Sequence, residues 1–229
     1  MFIKYAVVVL APVLFLVGCA QSNTAPSVPE RSDPAFLKAL NTRADEVYLN
    51  SRAPAAVADY RNVYIARADL ANLRVIQPEG AIPDAQWRVT KAEDDLLQTA
   101  MHDEFAAALR FHSAYNIVDD LEQAEIVIDT AIVAVHPNAT RAAVAAGAKP
   151  GGAITVSIAL VDGVSGGVIA RVVDTKSTDD IWAFNQVDNA DPAVNLIFRS
   201  WGNSIRRGIL QLQGRSSDPL ATPILLQAQ

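Results

Sequence analysis

A chain of 229 residues with a single cysteine, Cys19, has no intramolecular disulfide, so whatever folds must be held by a core of its own. The apolar fraction of 51% against 19% charged can supply that core, and it excludes a disordered or fibrous chain. The length suits one ordinary domain. A formal charge of −6, with Lys+Arg 19 against Asp+Glu 25 and no clustered basic stripe, argues against a nucleic-acid partner.

Cys19 also closes the one long apolar run in the chain. Lys4 supplies a positive charge, Tyr5 to Val17 is an apolar stretch of thirteen residues, and Leu16-Val17-Gly18-Cys19 ends it. A helix needs about 20 residues to cross a bilayer, so this stretch is expected to be the centre of a signal peptide. Leu16, Val17, Gly18 and Cys19 resemble a bacterial lipobox, in which a diacylglycerol is added to the cysteine sulfur before cleavage. The resemblance implies a signal peptide over residues 1–18 and lipidation of Cys19, giving a membrane contact through the N-terminal lipid. Ala20 follows the cysteine where an aspartate is the usual inner-membrane retention signal, which implies the outer membrane with the domain facing the periplasm.

Residues 19–58 are expected to be the lipidated cysteine and a flexible tether, because AQSNTAPSVPERSDP has no apolar period. Asp33-Pro34 has the form of a cap for a short helix carrying Phe36, Leu37 and Leu40. A globular domain is then expected over 59–214, with a C-terminal tail over 215–229. Val63 and Ile65, then Leu73 and Val75, predict one or two strands interrupted at Arg67-Ala68-Asp69. Thr90-Lys91-Ala92-Glu93 has the form of a capping box, and Leu97, Met101, Phe105 and Leu109 after it share one helix face to about Phe111. Tyr115 to Val118 and Ile126 to Val135 predict a short and a long strand. The alternation through Ile154, Val156, Ile158 and Leu160, with turn chemistry at Asp162 to Gly167, predicts an antiparallel hairpin to Thr175. Asp191-Pro192 and the stripe Val194, Ile197, Phe198, Trp201, Ile205, Ile209 and Leu212 predict a second long helix, stopped by Gly214, with Arg199 and Arg206 on its opposite face. The expected architecture is α+β: a two-layer sandwich with a mixed, mostly antiparallel sheet of about five strands and two long helices on one face.

The stretches DYRNVYI, EIVIDTAIVAV and ALVDGVSGGVIARVVD, together with the lipobox and tether, resemble a family of bacterial lipoproteins known as domain of unknown function 3313. The similarity covers roughly residues 59 to 213. It implies an envelope lipoprotein of undefined role and carries no catalytic residues across.

Residues that carry chemistry elsewhere have plainer explanations here. Gly163-Val164-Ser165-Gly166-Gly167 matches the G-x-S-x-G nucleophile elbow, but that motif needs a strand turning into a helix, and a second strand is expected here. Positive φ angles in a hairpin turn account for the glycines. His102 and His112 lie ten residues apart, about 15 Å along a helix, and His136 stands alone at a strand end, so no metal site is expected. Asp188, Asn189 and Asp191 lack the spacing of a calcium loop. Arg141 to Gly152 is small-residue and glycine-rich and is expected to be a mobile loop, or a partner-binding or membrane-touching one. Trp87 is expected to be a packing residue. Ile181, Trp182 and Phe184 stand among acids in an expected loop; they either anchor a protein partner or fold back over the open end of the core.

The expectation is a non-enzymatic outer-membrane lipoprotein, without cofactor or metal, whose domain binds another envelope protein. The alternative is a lipid- or solute-binding accessory of an envelope transporter.

Overall fold

The computed structural model describes residues 35–40, 42–52, 57–81, 86–182, 193–215 and 225–227. Its elements in chain order are β1 (Phe36–Ala39), β2 (Glu46–Asn50), β3 (Asn62–Ile65), β4 (Arg74–Val75), α1 (Lys91–Arg110), β5 (Asn116–Ile117) and β6 (Ile126–Pro137). The short helix α2 (Arg141–Ala145), β7 (Gly152–Asp162), β8 (Val168–Thr178), α3 (Ala193–Leu212) and β9 (Leu226–Gln227) follow.

The long elements form where the pattern places them. At the start of α1 the Thr90 hydroxyl accepts from the Glu93 N–H, and the Glu93 carboxylate accepts from the Thr90 N–H at 2.9 Å, so two orphan donors of the first turn are satisfied. Ile128 pairs with Leu160, and Ile132 with Val156, in the antiparallel ladder of β6 and β7. These side chains form one core with Leu97, Met101, Phe105 and Leu109 of α1 and with Val194, Ile197, Phe198, Trp201, Ile205 and Ile209 of α3. Burying each side chain of this size contributes about 1.5 to 3 kcal/mol, which is what holds a disulfide-free domain together. Trp201 also ties α3 to the sheet: its indole N–H donates to the buried Asp174 carboxylate of β8 at 2.7 Å, and the Asp45 N–H donates to the same carboxylate at 3.2 Å. Arg199 and Arg206 of α3 reach toward α1 and the residue that follows it. Arg199 makes two bonds to Glu104, at 2.8 and 3.0 Å, and the Arg206 guanidinium lies 5.2 Å from the Phe111 ring centroid.

The class is α+β, but among the described residues the sheet has nine strands where about five are expected. Their order is β5-β3-β6-β7-β8-β2-β1-β9, with β4 beside β6. The strands β3 and β4 both run parallel to β6, joined through a bridge from Asp69 to Ala131, so they behave as one interrupted strand. The extra strands come from segments assigned elsewhere. Phe36 and Leu37, expected in a short helix, pair in β1 with Asn50 and Leu49 of β2, and β2 pairs with β8. Phe36–Ala39 and Glu46–Asn50 are therefore part of the sheet and not of a tether, and within the expected tail Leu226 and Gln227 pair with β1. Strands of two to five residues are too short to show a period of two, and their partners lie far away in sequence, so long-range pairing overrides the local pattern. The Asp191-Pro192 cap lies outside the described residues.

Candidate functional site

Leu16, Val17, Gly18, Cys19 and Phe184 lie outside the described residues, as do Asp188, Asn189 and Asp191. Ile181 and Trp182 do not stand on the surface. They are 0% and 6% exposed, so the anchor reading is corrected for these two and the packing reading holds. Local geometry puts them there: the Ile181 N–H donates to the Pro150 carbonyl at 2.9 Å, and the Trp182 N–H to the Asp180 carboxylate at 2.9 Å, which turns the chain inward after β8.

The segment Gly163 to Gly167 joins β7 to β8. Asp162 organises it, accepting from the N–H groups of Val164 and Ser165 at 2.9 and 3.0 Å and from the Tyr60 hydroxyl at 3.2 Å. Burial works against the charge of Asp162, but these hydrogen bonds outweigh it and hold the carboxyl below its usual value. The Ser165 hydroxyl accepts from the Gly167 N–H. Only Gly166 of the three glycines has a positive φ, 71°, so turn conformation explains that one alone. His102 contacts its neighbour Asp103, His112 stacks on Phe111, and His136 pairs across to Ala153, three separate places. Among the described residues no group of three His, Cys, Asp or Glu side chains could hold a metal ion.

What the fold does bring together is Trp87, Glu93, Arg141 and Trp182. The two indole rings lie 4.4 Å apart between centroids at 59°. The Arg141 guanidinium sits 4.8 Å from the Trp182 ring and 5.8 Å from the Trp87 ring, and it pairs with the Glu93 carboxylate. Glu93 is 4% exposed and also accepts from the Trp87 indole N–H at 3.3 Å. Burial holds the Arg141 guanidinium below its usual value. The indole N–H of Trp182 is buried and has no hydrogen-bond partner among the described residues. This cluster corrects the mobile-loop expectation for Arg141 to Gly152: its first residues form α2, capped by the Thr140 hydroxyl accepting from the Ala143 N–H at 3.1 Å, and Arg141 pins them to the start of α1. Arg141→Ala should cost about 1 to 2 kcal/mol, the worth of two cation–π contacts and a partly exposed ion pair. Urea unfolding followed by tryptophan fluorescence checks this, and the native spectrum should shift as Trp182 gains solvent.

Beside the cluster lies an open groove of about 410 Å³. Leu70, Leu73 and Val75 form one bank, while Trp87, Val89 and the first turn of α1 form the other. Gln77, Gln86, Arg88, Thr90, Lys91 and Asp94 make its polar parts. The capping box at Thr90 and Glu93 is the part of this site visible in the sequence. No sequence signal marks Gln77 or Arg141, because their roles come from chain segments that meet only in the fold.

Several solved structures are similar to the chain at low identity. A PelC dodecamer subunit from Paraburkholderia phytofirmans is 12% identical, covering 63% of this chain and 88% of that one, with a TM-score of 0.34. The protein XCC0632 from Xanthomonas campestris is 8% identical, covering 68% and 87%, with a TM-score of 0.38. The lipoprotein GNA1162 from Neisseria meningitidis is 9% identical, covering 63% and 97%, with a TM-score of 0.33. No curated protein matches the sequence. The family described as "Protein of unknown function (DUF3313)" matches residues 31–202, starting further upstream than the sequence resemblance does and so including β1 and β2. With that match running from the segment before β1 through the middle of α3, the chain belongs to the DUF3313 family of proteins of unknown function.

Proposed function

We propose that this protein is an outer-membrane lipoprotein, anchored by acylated Cys19, whose periplasm-facing domain is a non-enzymatic binding module that receives its partner in the groove beside Trp87. The observation that carries the reading is the lone cysteine at the end of a thirteen-residue apolar run, preceded by Leu16, Val17 and Gly18. An acyl chain contributes about 0.8 kcal/mol per buried CH₂, so a diacylglycerol with a further acyl chain anchors stably. Tethering raises the concentration of the domain near other envelope proteins. The non-enzymatic part is supported by Ser165, whose hydroxyl sits in a strand-to-strand turn and accepts from Gly167.

A second reading, a lipid- or solute-binding accessory of an envelope transporter, draws on the volume of the groove, which lies within the range of small-molecule sites. The open shape and the many polar side chains favour a polar partner over an acyl chain.

The test is metabolic labelling with an alkyne fatty acid, followed by separation of inner and outer membranes. Wild type should carry the label and sediment with the outer membrane, and Cys19→Ala should lose both, a nearly complete effect. Unlabelled wild-type protein released as a soluble species would overturn the reading.

A further inference from the structure

Among the described residues the strand β4 pairs with β6 alone, on one side. The Ile76 N–H donates to the Val135 carbonyl at 2.9 Å, which fixes the orientation of the strand. Backbone groups alternate along a strand, so the N–H and C=O of Val75 point to the other edge. Among the described residues no hydrogen bond reaches either group. Val75 is also a lining residue of the groove, so the outer edge of β4 borders it.

The opposite bank is held off by one side chain. The Gln77 amide donates to the Trp87 carbonyl at 2.9 Å and accepts from the Trp87 N–H at 3.0 Å, as the peptide group of a neighbouring strand would. Trp87 is thus joined to this segment through the Gln77 side chain, and among the described residues no backbone bond runs from it to Val75. The result is a slot with an unpaired strand edge along one bank.

We infer that the groove is a strand-addition site, in which an extended peptide segment of a partner protein lies along β4 and exchanges hydrogen bonds with the N–H and C=O of Val75. This inference rests on the binding-module reading and names the class of partner. Strand addition takes affinity from main-chain bonds and specificity from alternate side chains. Here one set of peptide side chains meets Leu70, Leu73 and Val89. Lys91 is paired with Asp95, and the rim carries Arg88 and exposed Arg74 against Asp94, so it selects acidic residues at the flanking positions. An acyl chain would offer the Val75 groups no partner, which favours a peptide over a lipid at this site.

The probe is a displayed library of random heptapeptides, selected on the acylated full-length chain in nanodiscs. Enriched sequences should alternate apolar and acidic residues. Their binding should fall at least tenfold in Val75→Pro, which removes the outward N–H and leaves the bonds of Ile76 to β6 in place. Because that variant could also disturb the fold, the second measurement leaves the protein untouched: methylating alternate backbone nitrogens of the peptide should abolish binding in one phase and spare it in the other. If no sequence is enriched, or if enriched peptides tolerate methylation in both phases, the strand-addition site is wrong. Envelope crosslinks that still depend on Cys19 would in that case keep the binding-module reading standing, whereas unlabelled Cys19 would remove the anchor reading whatever the peptides do.

Discussion

Gly202→Val should lower stability by about 3 kcal/mol, because at this position the two long helices touch through a glycine. A Cβ on Gly202 would lie 2.8 Å from the Ala108 Cβ, 3.1 Å from the Phe105 Cα and 3.3 Å from the Glu104 carbonyl oxygen. Two of those atoms belong to the α1 backbone, which cannot move aside without shifting Phe105, 0% exposed, and the Glu104 pair with Arg199. Glycine in a helix interior costs about 1 kcal/mol relative to alanine, so its presence here is offset by the close approach it permits. Gly208, six residues further along α3, has nothing within 4 Å of its Cβ position, and Gly208→Ala should stabilise by about 0.5 kcal/mol or more. The opposite signs from one helix separate packing from propensity. Ala108→Gly combined with Gly202→Ala should recover part of the loss of Gly202→Ala alone. Urea unfolding read by circular dichroism measures all four variants, and equal destabilisation by Gly202→Val and Gly208→Ala would show that the helices do not meet at Gly202.

The parts of this fold legible in the sequence are those with enough residues to show a period or a cap. The stripe from Leu97 to Leu109, the alternation from Ile154 to Leu160 and the box at Thr90 and Glu93 each carry their own signal, and the structure has a helix or strand at each. The strands β1 and β2 are not legible, since FLKA and EVYLN become strands only by pairing with each other and with β8. Trp182 shows the same limit at the level of one side chain: acidic neighbours suggest exposure, yet Asp180 turns the backbone inward and the ring packs on Trp87. The groove lies wholly beyond local signals. Its features are an unpaired edge at Val75, a spacer at Gln77 and an arginine at 141 reaching across to α1, and each depends on segments brought together by the sheet.

The G-x-S-x-G match gives the other large effect, and it falls on a glycine and not on the serine. A Cβ at Gly163 would lie 2.1 Å from the Ala124 carbonyl oxygen and 2.8 Å from its carbon. Close approach of another backbone, and not a positive φ, therefore demands glycine here. That backbone cannot yield. The Gly163 N–H donates to the Glu125 carbonyl at 2.9 Å, the Glu125 N–H donates to the Asn62 carbonyl at 3.0 Å, and the Glu125 carboxylate accepts from the N–H groups of Arg61 and Asn62. The hairpin end is thus fastened to the start of β3, and Gly163→Ala forces the two apart at a cost of about 3 kcal/mol, or a melting temperature lower by about 6 to 12 °C. Ser165→Ala removes an exposed hydrogen bond from Gly167 and a side-chain bond to Asp162, whose carboxylate keeps its backbone donors, and should stay within about 1 kcal/mol of wild type. Thermal unfolding of the two variants makes the comparison, with hydrolysis of a model ester measured on the same samples. A steep loss for Gly163→Ala beside an unchanged Ser165→Ala would mean that the motif is a structural coincidence of a turn packed on a neighbouring strand. An esterase activity lost in Ser165→Ala at unchanged stability would make Ser165 a nucleophile and end the non-enzymatic reading.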